Sequence, residues 1–338
     1  MNDKIFHSSL TRITDFERAG FDPRPLPREH WEAGDYVVGT ATIPRGGLSA
    51  VELTTGRMVQ AVNGDMVLGA LGVRHATLEA VGSWEAVRAD GRMHLLSAGG
   101  LLGRLTSVSG MLASPMRIEY AGHAMRNGTK VRMQDFAQAP TKAQHYQVPT
   151  VVIVGTSMSA GKTTSAKVIV RQLKRAGHRV VGTKLSGAGR LRDILAMKDA
   201  GADAVFDFVD VGLPSSILDA IEFRERLQDL LGLIAEAKPD VVVAELGASP
   251  LEPYNGDTAL ELIQSTVAMT VLCASDPYAV LGVMSAYHMM RPDLVAGVAT
   301  STSAGVEVVE KLSGARALDI LDRASLPKLR ELLADALA

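Results

Sequence analysis

The chain has 338 residues, which is enough for about two domains of ordinary size. It carries 35 Lys and Arg residues against 37 Asp and Glu residues, and its net charge of −2 disfavours a general nucleic-acid binder and a binder of anionic membranes. With 47% hydrophobic and 21% charged residues, the composition predicts a folded globular protein rather than a disordered one.

Cysteine content and the first residues bear on location. Cys273 is the only cysteine, which excludes an internal disulfide framework and a cysteine-cluster zinc site and favours a reducing cytoplasm. The N-terminal 21 residues mix charges throughout and lack the apolar core of a signal peptide. The most apolar long stretch, 268–290, has Asp276 and Pro277 near its middle, so it predicts a strand, a loop and a helix rather than a membrane span.

The first part of the chain is typical of β structure. Residues 34–133 contain short runs rich in β-branched side chains, separated by GG, TG, NG and DG steps that favour turns. This pattern predicts a β-rich N-terminal domain over residues 1–137, either a sandwich or a barrel. Residues 138–149 contain two prolines and scattered polar side chains, which is typical of a linker.

From residue 150 onward, apolar strand-length runs alternate with helix-length segments. Val-rich strands that alternate with helices predict an α/β domain over residues 150–338, with a parallel sheet covered on both faces. Ligands of such sheets bind at the carboxyl ends of the strands. The predicted strands are 150–155, 179–183, 204–208, 240–245, 269–274 and 294–300, and the predicted helices are 161–176, 215–236, 257–266, 277–289, 303–313 and 326–337.

The segment GTSMSAGKTT lies between the first of these strands and the first helix, as a phosphate-binding loop does. The start of the helix offers free N–H groups to a phosphate, Gly161 lets the backbone approach closely, and Lys162 adds a positive charge. Thr163 is a predicted Mg²⁺ ligand through its hydroxyl. The alternative is a small-residue turn with a surface lysine. The predicted cofactor-binding residues are Gly155, Thr156, Ser157, Met158, Ser159, Ala160, Gly161, Lys162, Thr163 and Thr164.

Further charged residues lie at the predicted ligand edge of the sheet. Lys184 directly follows the second strand. Exposure to solvent alone does not readily explain a lysine at this position, at the predicted ligand edge of the sheet. Glu245 ends the fourth strand, and Asp207 and Asp210 lie near the end of the third, where carboxylates reach a metal ion. The alternatives are a turn cap for Glu245 and a helix cap for one of the aspartates. The predicted catalytic residues are Lys162, Lys184 and Glu245, and the predicted metal ligands are Thr163, Asp207 and Glu245.

The loop and its companions resemble those of P-loop NTPases in the dethiobiotin synthetase/MinD-like class. Lys184 resembles the lysine that faces substrate and phosphate in dethiobiotin synthetase, and Glu245 with the following LGASPLEP resembles the synthetase's magnesium-binding carboxylate and glycine-rich turn. The resemblance implies a fold of the α/β class in which a parallel-sheet P-loop NTPase domain is preceded by a smaller β-rich domain. It also implies a possible homodimer, because this superfamily often completes its site across a two-fold interface.

Residues 150–305 also resemble the family called domain of unknown function 1611. The likeness rests on the GT-prefixed loop, Lys184–Gly189, the Asp207–Phe208 pair, and the E-L-G-A-S stretch at 245–249 followed by a proline and a threonine. The β-rich first half does not look like that family's N-terminal domain. Near Thr300 the chain reads ATSTS where relatives tend to have an asparagine.

Three functions stay open at this point. A phosphate loop, magnesium ligands and a second lysine suit phosphoryl transfer, so the first is an ATP- and Mg²⁺-dependent ligase or phosphotransferase that activates a small-molecule carboxylate or carbamate for capture by an amine. The second, implied by the resemblance to the unknown-function family, is an N-acetyltransferase that takes acetyl-CoA and acts on an acidic amino acid. The third is a nucleotide-dependent switch, although the second lysine early in the loop of MinD-type switches is absent. Neither a nucleic acid nor a membrane is an expected partner.

Overall fold

The computed structural model describes residues 4–142, 145–247, 249–287 and 291–338. Two residues of the predicted linker, 143 and 144, as well as Ala248 and the last two residues of the predicted helix 277–289, lie outside this description. Within the described ranges, no helix combines the length and the apolar character that a membrane span requires. The chain divides into two compact units, of which the first comprises Met1–Gln138, Ala188–Arg192 and Phe208–Ile217 and the second Ala139–Gly187, Asp193–Asp207 and Leu218–Ala338.

The first unit is rich in β-strands, as the sequence predicts, and most of their pairings are antiparallel. One short helix, α1 (Phe16–Ala19), lies near its start. Its strands are β1 (Ile5–His7), β2 (Asp22–Arg24), β3 (Tyr36–Thr42), β4 (Ala50–Glu52), β5 (Met58–Gln60), β6 (Met66–Leu71), β7 (Val73–His75), β8 (Ala80–Ser83), β9 (Arg92–Ser97), β10 (Leu101–Val108), β11 (Arg117–Arg126) and β12 (Thr129–Lys130).

Five of these strands close into a barrel. Going round, β6 pairs with β3, β3 with β11, β11 with β9, and β9 with β10, all antiparallel. The parallel pairing of β10 with β6, through Leu101↔Ala70 and Leu102↔Leu71, completes the circuit. The fully buried side chains of Val37, Val67 and Ile118 belong to its core. A closed circuit leaves no open edge between these strands, and it decides between the sandwich and the barrel in favour of the barrel.

The second unit is built on a six-stranded parallel sheet. The strand order is β15-β14-β16-β13-β17-β18, and every pairing in it is parallel. The strands are β13 (Thr150–Gly155), β14 (Val180–Ser186), β15 (Ala204–Asp207), β16 (Val241–Leu246), β17 (Val267–Cys273) and β18 (Leu294–Ala296). The helices are α2 (Lys162–Arg175), α3 (Leu191–Asp199), α4 (Ala220–Glu236), α5 (Gly256–Ile263), α6 (Pro277–Ala286), α7 (Ser303–Ser313) and α8 (Leu326–Ala336).

The sheet explains the apolar runs of the sequence. All six residues of β13 and all six of β16 are buried, because these central strands are covered on both faces. Since parallel neighbours start in register, the carboxyl ends of β13, β14 and β16 come together at one edge. The second unit therefore confirms the predicted α/β class, and it places the candidate residues at the edge where the sequence puts the ligand.

The largest differences from prediction are found at three elements. Helix α3 has no counterpart among the predicted helices. Helix α4 begins at Ala220 rather than at 215, because Asp219 caps it by accepting the N–H of Ile221 at 2.9 Å and residues 215–217 belong to the first unit. Strand β18 ends at Ala296 rather than at 300, because Gly297 takes a φ of +92° and a 3-10 turn follows.

Candidate functional site

A strand, a loop and a helix form the centre of the site. Strand β13 ends at Gly155, and α2 begins at Lys162 after Gly161, which has a left-handed φ of +100°. A Cβ atom on Gly155 would lie 2.8 Å from Cδ of Lys162, so this glycine makes room for the lysine side chain to fold back over the strand end. This geometry within a parallel sheet is the P-loop NTPase fold, as predicted.

The amine of Lys162 is held by the loop itself. Its Nζ is buried and donates to the main-chain carbonyl of Ser157 at 2.6 Å. Burial lowers the pKa of Lys162, and the nearby carboxylate of Glu245 opposes that shift. Ser157 is also buried, and its Oγ has no hydrogen-bond partner among the described residues. A loop that wraps a buried ammonium and keeps a free hydroxyl inside it is suited to enclose an anion.

Thr163 and Glu245 meet beside this lysine. Strands β13 and β16 are neighbours with Ile153 opposite Glu245, so the end of β16 reaches the start of α2. Thr163 Oγ1 donates to Glu245 Oε2 at 3.0 Å. Burial raises the pKa of Glu245 and the charge of Asp193 adds to the shift, whereas the two site lysines oppose it. The pair thus offers two oxygen atoms that could bind a metal ion. One of them belongs to a carboxyl group with a raised pKa.

Lys184 provides a second buried ammonium. It lies at the end of β14, and its Nζ donates to Oδ2 of Asp193 at 2.5 Å. Burial works to lower the pKa of Lys184, but Asp193, Glu245 and Asp207 outweigh it and raise the pKa, so the amine is charged at neutral pH. Its charge also reaches Lys162, where it contributes to the lowered pKa of that group. The two ammonium groups therefore belong to one electrostatic site.

Two glycine turns lie next to the Lys184 side chain. A Cβ atom on Gly187 would lie 3.0 Å from Cε of Lys184, and one on Gly247 would lie 3.6 Å from the same atom. Ser186 Oγ donates to the carbonyl of Gly247 at 3.0 Å, which joins the turn after β14 to the turn after β16. Side chains at either glycine would crowd the amine. The turns are thus built to leave space next to it.

Asp207 lies on the far side of Lys184 from Glu245. In the sheet, Lys184 is opposite Glu245 on one side and opposite Asp207 on the other, so the Cα atoms of the two acids are two strand spacings, about 10 Å, apart. Among the described residues, no group of three or more His, Cys, Asp and Glu side chains could hold a metal ion. The role of Asp207 as a metal ligand stays a prediction. Asp210, the other aspartate of that segment, pairs with Arg12 at 2.9 Å inside the first unit.

The oxygen donors at Thr163 and Glu245 fit Mg²⁺. This ion prefers hydroxyl and carboxylate oxygens, keeps several waters, and is commonly shared with substrate phosphates, so it does not need a cage of three protein carboxylates. A hydroxyl and a carboxylate 3.0 Å apart at the first turn of α2 provide such a partial set. The structure therefore brings together two of the three predicted metal ligands.

Asp193 and the residues at the ends of β17 and β18 were not predicted from the sequence to belong to the site. Asp193 lies in the first turn of α3, and no sequence signal marked it. The loop is anchored by the N–H of Thr156, which donates to the carbonyl of Cys273 at 3.0 Å, and by its hydroxyl, which accepts the N–H of Ser275 at 3.0 Å. Burial raises the pKa of the Cys273 thiol to about 11, in keeping with a structural residue.

Gly297 packs against the loop at Ala160. It has φ +92°, and a Cβ atom there would lie 2.2 Å from the carbonyl oxygen of Ala160. We expect Gly297→Ala to displace the loop and weaken nucleotide binding about tenfold or more, because the displaced atom is backbone and cannot turn away. Titration calorimetry with ATP and Mg²⁺ would measure the change.

A matched control isolates that contact from backbone strain. Gly177 has the same φ of +92° but would meet nothing within 4 Å, so Gly177→Ala introduces comparable strain away from the loop. It should lower stability without changing nucleotide affinity. Equal affinity in the wild type and Gly297→Ala would show that this contact does not hold the loop in its binding shape.

Solved structures that are similar to this chain have low sequence identities and low TM-scores. Chloroplast FtsY from Physcomitrella patens is 14% identical over 61% of this chain and 70% of that chain, with a TM-score of 0.37. The hydrogenase maturation factor HypB from Archaeoglobus fulgidus is 16% identical over 57% and 92%, with a TM-score of 0.39. A DUF1611 family protein from Anabaena variabilis is 15% identical over 63% and 65%, with a TM-score of 0.38.

The other two comparisons found no matching protein-family model and no matching curated protein. A member of the family named domain of unknown function 1611 is thus among the similar structures, and membership of the dethiobiotin synthetase/MinD-like class stays a prediction. At these identities and TM-scores, the chemistry of the site has to be inferred from the residues of this chain.

Proposed function

We propose that the second unit binds a nucleoside triphosphate with Mg²⁺ at residues 155–164 and transfers its γ-phosphoryl group to a small carboxylate or carbamate. The observation that carries the proposal is the second buried ammonium, Lys184, next to the Thr163–Glu245 pair. A loop that only binds nucleotide has no need of it. A reaction between two anions does, because both must be held close together and their charge neutralised.

Each residue has a role in this scheme. The main-chain N–H groups at the start of α2 donate to the β-phosphate, and Lys162 exchanges its bond to the Ser157 carbonyl for bonds to phosphate oxygens. Thr163 and Glu245 would hold Mg²⁺, which would neutralise charge on the phosphates. Lys184 orients the acceptor carboxylate, which competes with Asp193 for the amine. Catalysis in this scheme is positioning and electrostatic stabilisation.

The reaction balances without another cofactor. A carboxylate oxygen attacks the γ-phosphorus, the bond from phosphorus to the bridging oxygen breaks, and its electron pair leaves with the nucleoside diphosphate. The acyl phosphate is then attacked at carbon by an amine, which loses a proton as inorganic phosphate departs. ATP is the predicted nucleotide. A direct test compares ATP with GTP.

The experiment is nucleotide turnover in the presence of small acids and amines. Purified protein with Mg²⁺ and ATP or GTP is incubated with a panel of mono- and dicarboxylic acids, each with and without ammonia or a primary amine, and release of the diphosphate is measured. We expect at least one acid to raise turnover well above the basal rate. If no acid changes turnover and acetyl-CoA binds in the absence of hydrolysis, the acetyltransferase hypothesis replaces this one.

A substitution at Lys184 should distinguish binding of the acceptor from binding of the nucleotide. We expect Lys184→Met to leave nucleotide affinity near the wild-type value and to lower acid-stimulated turnover by about 10²-fold, because the acceptor loses its counter-charge. The variant leaves the partly buried Asp193 without its lysine partner, so the double variant Lys184→Met/Asp193→Asn guards against loss of folding. Lys198→Met, an exposed lysine of α3, is the control. Unchanged stimulated turnover in both Lys184 variants would contradict the role of this residue.

A further inference from the structure

A cationic cavity lies along helix α2 in the second unit. It has a volume of about 650 Å³ and is bounded by α2, the 3-10 turn Arg323–Ser325 and α8. Small-ligand sites generally measure about 300–1,000 Å³, so the cavity is of a size to take a small molecule. Of the predicted cofactor-binding residues, it includes only Thr164.

Five cations line the cavity: Lys167, Arg171, Arg175, Arg323 and Arg330. None of them forms an ion pair with any residue that the structure describes, and none of the described lining residues is acidic. Unpaired like charges repel one another and destabilise the folded chain. All five are exposed, and their positive charges add up around one concave space, which favours the binding of an anion.

The cations of α2 form a row on one helix face. Lys167, Arg171 and Arg175 follow one another at intervals of four residues, which places them about 6 Å apart along the helix axis. The helix dipole favours a cation in the last turn, so it accounts for Arg175 but not for the other two. The helix dipole alone therefore does not explain the row. Its spacing suits the separation of phosphoryl groups on one ligand.

Gln172 is a second, independent sign of a ligand. Its side chain is 2% exposed and lines the same cavity, yet its Oε1 has no hydrogen-bond partner among the described residues. A buried acceptor left in this state costs free energy unless a donor comes to it. The ligand therefore offers an N–H or O–H group next to its negative charges.

Most of the remaining lining of the cavity is apolar. Ile320, Leu321, Leu326 and Pro327 line it from the chain before and within α8, and Leu321 is 64% exposed. No aromatic side chain is among the described lining residues, which disfavours the base stacking that single-stranded nucleic acids require. A flat membrane would not enter a concave space. The wall suits the carbon skeleton of a small molecule.

We propose that this cavity is a second ligand site, for a small organic molecule with two or more phosphoryl groups and a hydroxyl or amino donor. The four guanidinium groups and Lys167 bind the phosphoryl oxygens, with each guanidinium able to offer two parallel N–H donors. Gln172 accepts the donor group, and the apolar wall covers the carbon skeleton. This proposal does not depend on the function proposed for residues 155–164.

The test is titration calorimetry of the full chain with two probes, inorganic tripolyphosphate and fructose 1,6-bisphosphate. The first provides charge alone and the second adds hydroxyl donors. We expect Arg171→Ser/Arg323→Ser to weaken both about tenfold or more and a rise in salt to weaken both in the wild type. Gln172→Leu should weaken only the bisphosphate, and Lys311→Ser, an exposed lysine of α7, should change neither.

Lys162→Ala, measured in parallel, separates this site from the phosphate loop. Binding that persists in Lys162→Ala and is lost in the double arginine variant supports the second site, whatever happens to nucleotide turnover. Binding that is lost in Lys162→Ala, binding that the double arginine variant leaves unchanged, or no saturable binding overturns the proposal. Binding of polyglutamate or a single-stranded DNA 20-mer without binding of either small probe also overturns it.

Discussion

Lys162→Ala is expected to lower nucleotide turnover by about 10²–10³-fold, which is the usual consequence of removing one preorganised charged group from a phosphoryl-transfer site. The amine is buried inside the loop and donates to a carbonyl of that loop, a bond that it can exchange for one to a phosphate. Steady-state kinetics with ATP and Mg²⁺ would measure the loss. Nucleotide affinity should fall as well.

The Lys162→Ala variant should stay folded. Burial lowers the pKa of Lys162, which means that its environment disfavours the charge, so its removal should not unfold the protein. A thermal melt within a few degrees of the wild type would show this. Lys328→Ala removes an exposed lysine of α8 that pairs with Glu331, and it should leave turnover unchanged. Wild-type turnover in a folded Lys162→Ala variant would exclude the loop as the reacting site.

Glu245→Gln is the second variant with a large expected effect. The substitution keeps the shape of the side chain and one oxygen acceptor for Thr163 but removes the negative charge that Mg²⁺ needs. We expect Mg²⁺ to bind on the order of 10–100-fold more weakly, and turnover at limiting Mg²⁺ to fall with it. Activity measured against Mg²⁺ concentration would separate a weaker metal site from a general loss of activity.

Glu245→Gln should also change how the stability of the protein depends on pH. Because burial raises the pKa of Glu245, the unfolded chain loses this proton at a lower pH than the folded chain does. Between the ordinary glutamate pKa and the raised one, the folded state binds more protons, so the contribution of this group to stability falls as pH rises. Glutamine has no such proton. Glu245→Gln should therefore gain stability over the wild type as pH rises through that window and keep the gain at neutral pH.

Chemical denaturation at several pH values would measure the difference in the free energy of unfolding. A difference that grows from acid to neutral pH agrees with a buried carboxyl group that is costly to ionise. A difference that shrinks over the same range would mean that the lysines stabilise the carboxylate more than burial penalises it. In that case, Glu245 would be an ion-pair partner and a weaker candidate for a metal ligand.

The parts of this site that could be predicted from sequence are those that depend on neighbours in the chain. The loop from Gly155 to Thr164 needs only a strand before it, a helix after it and glycines at the turns, and all three are local. Lys184 and Glu245 stand at the ends of apolar runs, and parallel strands bring such ends together. The α/β class of the second unit follows from the same alternation.

What could not be predicted depends on contacts between distant residues. The N–H groups of Leu191 and Arg192, at the start of α3, donate to the buried carboxylate of Glu52 at 2.8 and 2.9 Å, and no local cap marks that helix in the sequence. Asp193 was therefore missed with its helix. The closure of the barrel through β6 and β10 depends on a parallel pairing between strands that are not consecutive. The loop contact of Gly297 is likewise remote in sequence, because it is made with Ala160, which lies 137 positions earlier in the chain.

The most direct measurement is a crystal structure of the protein with a non-hydrolysable ATP analogue and Mg²⁺ at saturating concentration. We predict the β-phosphate against the N–H groups at the start of α2, Lys162 Nζ moved from the Ser157 carbonyl to the phosphates, and Mg²⁺ next to Thr163 and Glu245. A loop without ligand under those conditions, with Lys162 still bonded to Ser157, would contradict the account.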